Sequence, residues 1–186
     1  MRTKFRSPRL LLSLALVVVA VTVVAAQTVA NGPYYALPSW SQKLPANTRF
    51  IVLANWNNEA VLDRETGLVW ERSPDPQPVP RFFARGQCVD KNVGGRMGWR
   101  LPSQFELLTL VDRSVPEPGP LLPNGHSFAN VQSSPYWSAT GSPVPDLLWV
   151  VDFGGLVSAD VVAFRAGDGP QHPTWCVRGP TTAEVY

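Results

Sequence analysis

The chain has 186 residues, with 16 Lys and Arg against 14 Asp and Glu and a formal charge of +2. Four of the cations (Arg2, Lys4, Arg6 and Arg9) precede residue 27, so the rest of the chain carries two more acids than cations, and the sequence pI near 8.7 gives no support for a nucleic-acid partner. Past residue 26, a length sufficient for one domain with a real core holds all seven tryptophans and all but one of the 19 prolines, which argues against disorder and against a coiled coil.

The four basic residues lead into Leu10–Ala26, an apolar run broken only by Ser13 and Thr22 and closed by the small residues Val24-Ala25-Ala26. Residues 1–26 therefore read as a secretory signal peptide, or as an uncleaved N-terminal anchor, since the run reaches the lower length limit for crossing a bilayer. Either reading places the remainder outside the cytoplasm, in the periplasm, at the cell surface or secreted, with membrane contact only through this segment. Cys88 and Cys176 are the two cysteines, and in an oxidising compartment one bridge between them is expected. It would close a loop of about 90 residues, worth roughly 4–5 kcal/mol in the chain-entropy model. A reactive or metal-binding pair is the alternative, for which there is neither a C-x-x-C motif nor a nearby His.

Residues 27–48 mix Tyr34, Tyr35 and Trp40 with Pro33, Pro38 and Pro45 and read as an extended arm. The domain proper is expected over 49–180, with a tail at 181–186. Phe50–Leu53 suits a first strand. Ala60–Leu62 and Leu68–Trp70 flank a turn in which Gly67 supplies a positive φ, the pattern of a β-hairpin. Pro74, Pro76, Pro78 and Pro80 are expected to prevent regular structure before Arg81. Residues 81–92 suit a short helix with Phe82 or Phe83 and Cys88 facing inward. Ser103 and Glu106 form a capping box that opens a second helix over 103–112, with Arg100 pairing a carboxylate such as Asp112 or Glu71. After a proline-rich loop at 113–135, strands are expected at 136–140, 147–153, 156–158, 161–164 and 174–178. Two helices with short antiparallel strands and one disulfide define an α+β domain.

Four segments in order carry a resemblance: Ala60–Trp70, Gly98-Trp99-Arg100-Leu101-Pro102-Ser103 with Glu106-Leu107 and Leu110-Val111-Asp112, Tyr136-Trp137-Ser138-Ala139-Thr140, and Cys176-Val177-Arg178-Gly179. Together they resemble the DUF1566 family, also called the Lcl C-terminal domain, named after a collagen-like adhesin. The resemblance implies a bacterial extracytoplasmic module with a C-type-lectin-like fold, in which a disulfide joins the first helix to the last strand, as Cys88 and Cys176 would. It also implies a binding role, because the adhesin of that name binds sulfated glycosaminoglycans. Trp70, Trp99, Trp137 and Cys176 lie in the shared motifs and read as scaffold.

Calcium-dependent lectins hold sugar through acid and amide oxygens that also bind the ion. Here the loop has Glu117-Pro118-Gly119, without the amide, and the strand has Trp149-Val150-Val151-Asp152. Asp146, Asp152, Asp160 and Asp168 recur near strand ends and could supply a Ca²⁺ site, but they also read as solvated turn residues. No metal ligand set, catalytic set or cofactor motif is therefore assigned. Gly125-His126-Ser127 resembles a nucleophile elbow without the strand and helix that make one work.

Polyanion binding needs concentrated cations, and Arg81, Arg85, Lys91, Arg96 and Arg100 fall within 20 residues, with Asp90 the single acid among them. Arg81, Arg85, Lys91 and Arg96 are the candidate ligand contacts. The expected function is an exported, non-catalytic binding or adhesion module for carbohydrate or a sulfated polysaccharide. The alternatives are an enzyme on the same fold, with His126 or His172 meeting a carboxylate and a nucleophile, and a self-assembling structural domain.

Overall fold

Two features of local sequence and one long-range bond set the frame. The first is the turn Asp63–Gly67: Asp63 Oδ1 accepts the Glu65 N–H at 3.0 Å, the Gly67 N–H returns to the Asp63 carbonyl at 2.8 Å, and Gly67 has φ +74°. The second is the capping box, in which Ser103 Oγ accepts from Glu106 N–H at 3.1 Å and Glu106 Oε2 accepts from Ser103 N–H at 2.8 Å. The third is the Cys88–Cys176 disulfide. The structure, a computed structural model, describes residues 44–144, 147–155, 161–165 and 171–179, with backbone only for Leu147 and for 161–165. They all belong to one compact unit of the chain.

The described elements are α1 (Ala46–Arg49), β1 (Phe50–Val52), a 3-10 turn at Ala54–Trp56, β2 (Ala60–Asp63), β3 (Val69–Glu71), β4 (Asp75–Val79), α2 (Arg81–Val89), α3 (Gln104–Leu108), β5 (Pro135–Gly141), β6 (Leu147–Asp152), β7 (Val161–Arg165), β8 (His172–Thr174) and β9 (Val177–Arg178). They form a four-stranded sheet β1-β2-β3-β9, a ribbon β4-β8 and a three-stranded sheet β5-β6-β7, all antiparallel. The α+β class and the hairpin are as the sequence indicates. The helix over 103–112 is shorter than its periodicity suggests, ending at Leu108. Residues 156–158 lie outside the described residues.

Four expectations are corrected. Among the described residues there are three α-helices rather than two, because Pro45 starts a short turn in which its carbonyl accepts the Thr48 and Arg49 N–H groups. The segment 174–178 is not one strand: Trp175 and Cys176 separate β8 from β9, which pair with different sheets. The proline-rich stretch before Arg81 contains β4, whose pairing shifts register between Asp75↔Thr174 and Val79↔His172. Proline is tolerated there because a two-stranded ribbon leaves an edge on which no N–H is required. Finally, Phe82 and Phe83 face solvent, and the buried residues of α2 are Ala84 and Cys88.

The core has two clusters joined by Trp175-Cys176. In one, Trp175 contacts Trp70, Phe128, Tyr136 and Phe153, with ring centroids 4.9–5.7 Å apart. In the other, the disulfide packs with Ala84, Trp99, Leu101 and Trp137. Trp70, Trp99 and Trp137 are all buried, as expected of scaffold. Glu71 clamps the junction: its backbone N–H donates to the Cys176 carbonyl, its carbonyl accepts Trp175 Nε1–H at 2.9 Å, and its Oε2 accepts Cys176 N–H at 2.8 Å.

Candidate functional site

The four candidate cations do not gather around one partner. Arg81 spends its guanidinium on β5, with Nη2 donating to the Ala139 carbonyl at 3.0 Å and Nε to that of Ser138 at 3.4 Å. Lys91 Nζ lies 2.8 Å from Glu71 Oε1, where it offsets a buried carboxylate whose pKa is raised by burial. The Arg96 guanidinium sits 5.3 Å from the Trp56 ring centroid, and Arg178 sits 5.4 Å from the same ring. Arg85 is exposed, with no hydrogen bond or ion pair among the described residues. A run of cations in sequence is thus divided among helix anchoring, charge compensation, ring stacking and one open position.

That open position lines a cleft of about 780 Å³, framed by α2, the start of α3 and the ends of β5 and β6. Val89, Leu101 and Ala139 make its wall apolar, and Trp149 adds an aromatic face that is half-buried, unlike the scaffold tryptophans. The expected carboxylate partner of Arg100 is corrected here. It is Glu106, neither Asp112 nor Glu71, with paired contacts of 2.7 Å (Nη1–Oε2) and 2.6 Å (Nη2–Oε1). Glu106 is held in place by its capping role, so the start of α3 presents a neutralised pair to the cleft. Gln104, at the first position of α3, donates its backbone N–H to Thr140 Oγ1 at 3.0 Å. Its side-chain Oε1 is buried without a hydrogen-bond partner. Sequence reasoning missed Trp149 and Gln104. Their signal is only that Trp149 is one of four tryptophans outside the matching motifs and that a glutamine follows the cap.

A second depression, of about 570 Å³, is lined by Pro76, Pro78, Gln132, Ser134 and His172. Behind it Asp152 is buried, with Oδ1 accepting Gly154 N–H at 2.8 Å and Oδ2 unpartnered. Ser134 Oγ has no hydrogen-bond partner, so no nucleophile–base bond joins it to His172. Ser127 Oγ donates to the Phe50 carbonyl at 2.8 Å, and His126 Nδ1 accepts Phe128 N–H at 3.2 Å. Glu117 is exposed and lies against Gly155, where an added Cβ would strike its side chain. Among the described residues no three His, Cys, Asp or Glu side chains come together as a metal site. Asp146, Asp160 and Asp168 lie outside the described residues.

The histidines have a pH consequence. Burial lowers the pKa of His126 and His172 from 6.5, with Asp152 opposing the shift at His172. A lowered folded value means that this stability is fully present above about pH 6.5 and is lost as pH falls through the folded value. Glu71 works oppositely: its raised value favours the folded state as pH falls toward 4.5. Melting temperature is expected to fall between pH 7 and pH 5, and less steeply in His172→Gln. Parallel melting curves for the two proteins would contradict this assignment.

A family model, the Lcl C-terminal domain, matches residues 59–178, from the start of β2 to the end of β9. The chain belongs to the Lcl C-terminal domain family. The match takes in both cysteines, the capping box, all four candidate cations and the cleft residues from Arg85 to Trp149. No curated protein matches the chain. Among the described residues no helix is long and apolar enough to cross a membrane. For this Lcl C-terminal domain, the site of interest is therefore a cleft whose residues lie wholly within the family's span.

Proposed function

We propose that this chain is an exported, non-catalytic binding module that takes a carbohydrate, with anionic glycans preferred, in the cleft beside α2. One observation carries the reading: Trp149, Arg85 and Gln104, whose buried Oε1 has no hydrogen-bond partner, line a single cleft. An indole face packs against the apolar side of a sugar ring, a guanidinium with no partner takes a sulfate or carboxylate, and an amide bonds hydroxyls. Arg85 is the cation here that needs no rearrangement to meet an anion. The disulfide and the basic-then-apolar N-terminal sequence support a location outside the cytoplasm. The resemblance to the adhesin's lectin-like domain supports surface attachment as the biological setting.

A glycan array probed with and without chelator, followed by a heparin column at physiological salt, tests the proposal. Trp149→Ala is expected to weaken retention about tenfold, from roughly 1–1.5 kcal/mol of lost ring contact. Arg85→Gln should weaken anionic glycans and spare neutral ones. Absence of any retained glycan, or retention untouched by Trp149→Ala, would reject the cleft as the site.

A further inference from the structure

Helix α2 is amphipathic in the reverse sense. Its inward residues Ala84 and Cys88 are 0% exposed, whereas Phe82 is 85%, Phe83 59% and Val89 62% exposed. At about 100° per residue, Phe82, Gly86 and Val89 form a stripe opposite Ala84 and Cys88. Phe83 stands at its flank, its ring edge-on to that of Phe82 at 5.5 Å. This orientation is fixed from the other side of the helix by the disulfide at Cys88 and by the bonds from Arg81 to β5. The phenylalanines are therefore held away from the core. Gly86 sits at the crest, where an added Cβ would meet nothing within 4 Å. The domain's own packing does not demand that glycine, which leaves the helix backbone open to close approach.

The size of the stripe selects its occupant. A nine-residue helix is about 13.5 Å long, and three apolar side chains offer well under the roughly 800 Å² per partner of a stable protein interface. A bilayer surface asks for less, since interfacial helices sink one apolar face about 5–10 Å and place cations at the phosphates. Arg85 stands on the shoulder between the stripe and the cleft, without an ion pair among the described residues. Asp90 is the single acid of the 81–100 segment. We propose that α2 docks on an anionic lipid surface, with Phe82 and Phe83 entering the headgroup–acyl boundary and Arg85 meeting lipid phosphate. This contact is additional to any made by residues 1–26; it shares Arg85 with the cleft, so an anionic sugar there and lipid phosphate would compete for that one guanidinium.

Because residues 10–26 are apolar enough to enter a bilayer themselves, the test must be local to α2. Hydrogen exchange of the 81–90 amides in the full-length protein is followed with phosphatidylcholine vesicles, with and without phosphatidylglycerol. Exchange is expected to slow several-fold with phosphatidylglycerol, little with phosphatidylcholine alone, and not at all in Phe82→Ser/Phe83→Ser. Neither phenylalanine lines the cleft, so glycan retention by that variant should equal the wild type's. Unchanged exchange with both vesicle types, or equal slowing in the variant, would overturn the proposal. So would lipid-free dimerisation abolished by the same double substitution, which would assign the face to a second copy.

Discussion

Arg49→Met is expected to lower the unfolding free energy by about 3–5 kcal/mol, among the largest effects of any single substitution in this domain. Arg49 is 2% exposed and Asp63 is 0% exposed. They meet in two parallel bonds, Nε–Oδ1 at 2.8 Å and Nη2–Oδ2 at 2.7 Å, while Nη2 also donates to the Thr109 carbonyl at 2.8 Å. One guanidinium thus links the start of β1, the turn after β2 and the end of α3. Removing it strands a carboxylate and a carbonyl in the interior, and the stranded charge dominates the loss. Arg49→Met/Asp63→Leu should recover a large part of the stability, less the Asp63 bond to the Glu65 N–H. Urea unfolding measures both. A loss below about 1 kcal/mol for Arg49→Met, within the range of exposed pairs, would mean that the pair is hydrated in solution.

The second large effect is expected from the disulfide. Cys88 and Cys176 are 88 residues apart in sequence, so opening the bridge should cost on the order of 4–5 kcal/mol through the unfolded chain. The folded state adds a local reason. Helix α2 buries only Ala84 and Cys88, so beyond the bridge it is held mainly by Arg81 on β5 and, just past its end, by Lys91 on Glu71. In Cys88→Ala/Cys176→Ala, hydrogen exchange of α2 should quicken far more than that of β2 and β3. Uniform quickening would show that the bridge acts through the unfolded state alone.

The parts of this fold legible in sequence are those fixed by neighbours in the chain. The Asp63–Gly67 turn and the Ser103–Glu106 box each satisfy backbone groups within a few residues, so residue identity and spacing are sufficient. Partners across space are not encoded that way. Arg100 chose Glu106 because capping had already placed that carboxylate, and Lys91 reached Glu71 because a buried acid needs a counter-charge. The expectation that Phe82 or Phe83 faces inward fails because hydrophobicity normally marks the inward face, whereas a disulfide and an arginine orient α2 instead. The candidate site was half legible. Arg85 was named among the cations, but Trp149 enters the cleft only once β5 and β6 pair and bring their ends to α2.

A carbohydrate seated in the cleft beside α2 must touch Trp149 and Arg85. The most direct measurement is an NMR titration following the Trp149 indole N–H and the Arg85 side-chain N–H, with heparin-derived and neutral oligosaccharides as probes. The expected result is a saturable shift of both signals with the anionic sugar and of Trp149 mainly with the neutral one, the buried Trp70 and Trp175 signals staying still. A sugar that binds while leaving Trp149 and Arg85 unmoved would contradict it.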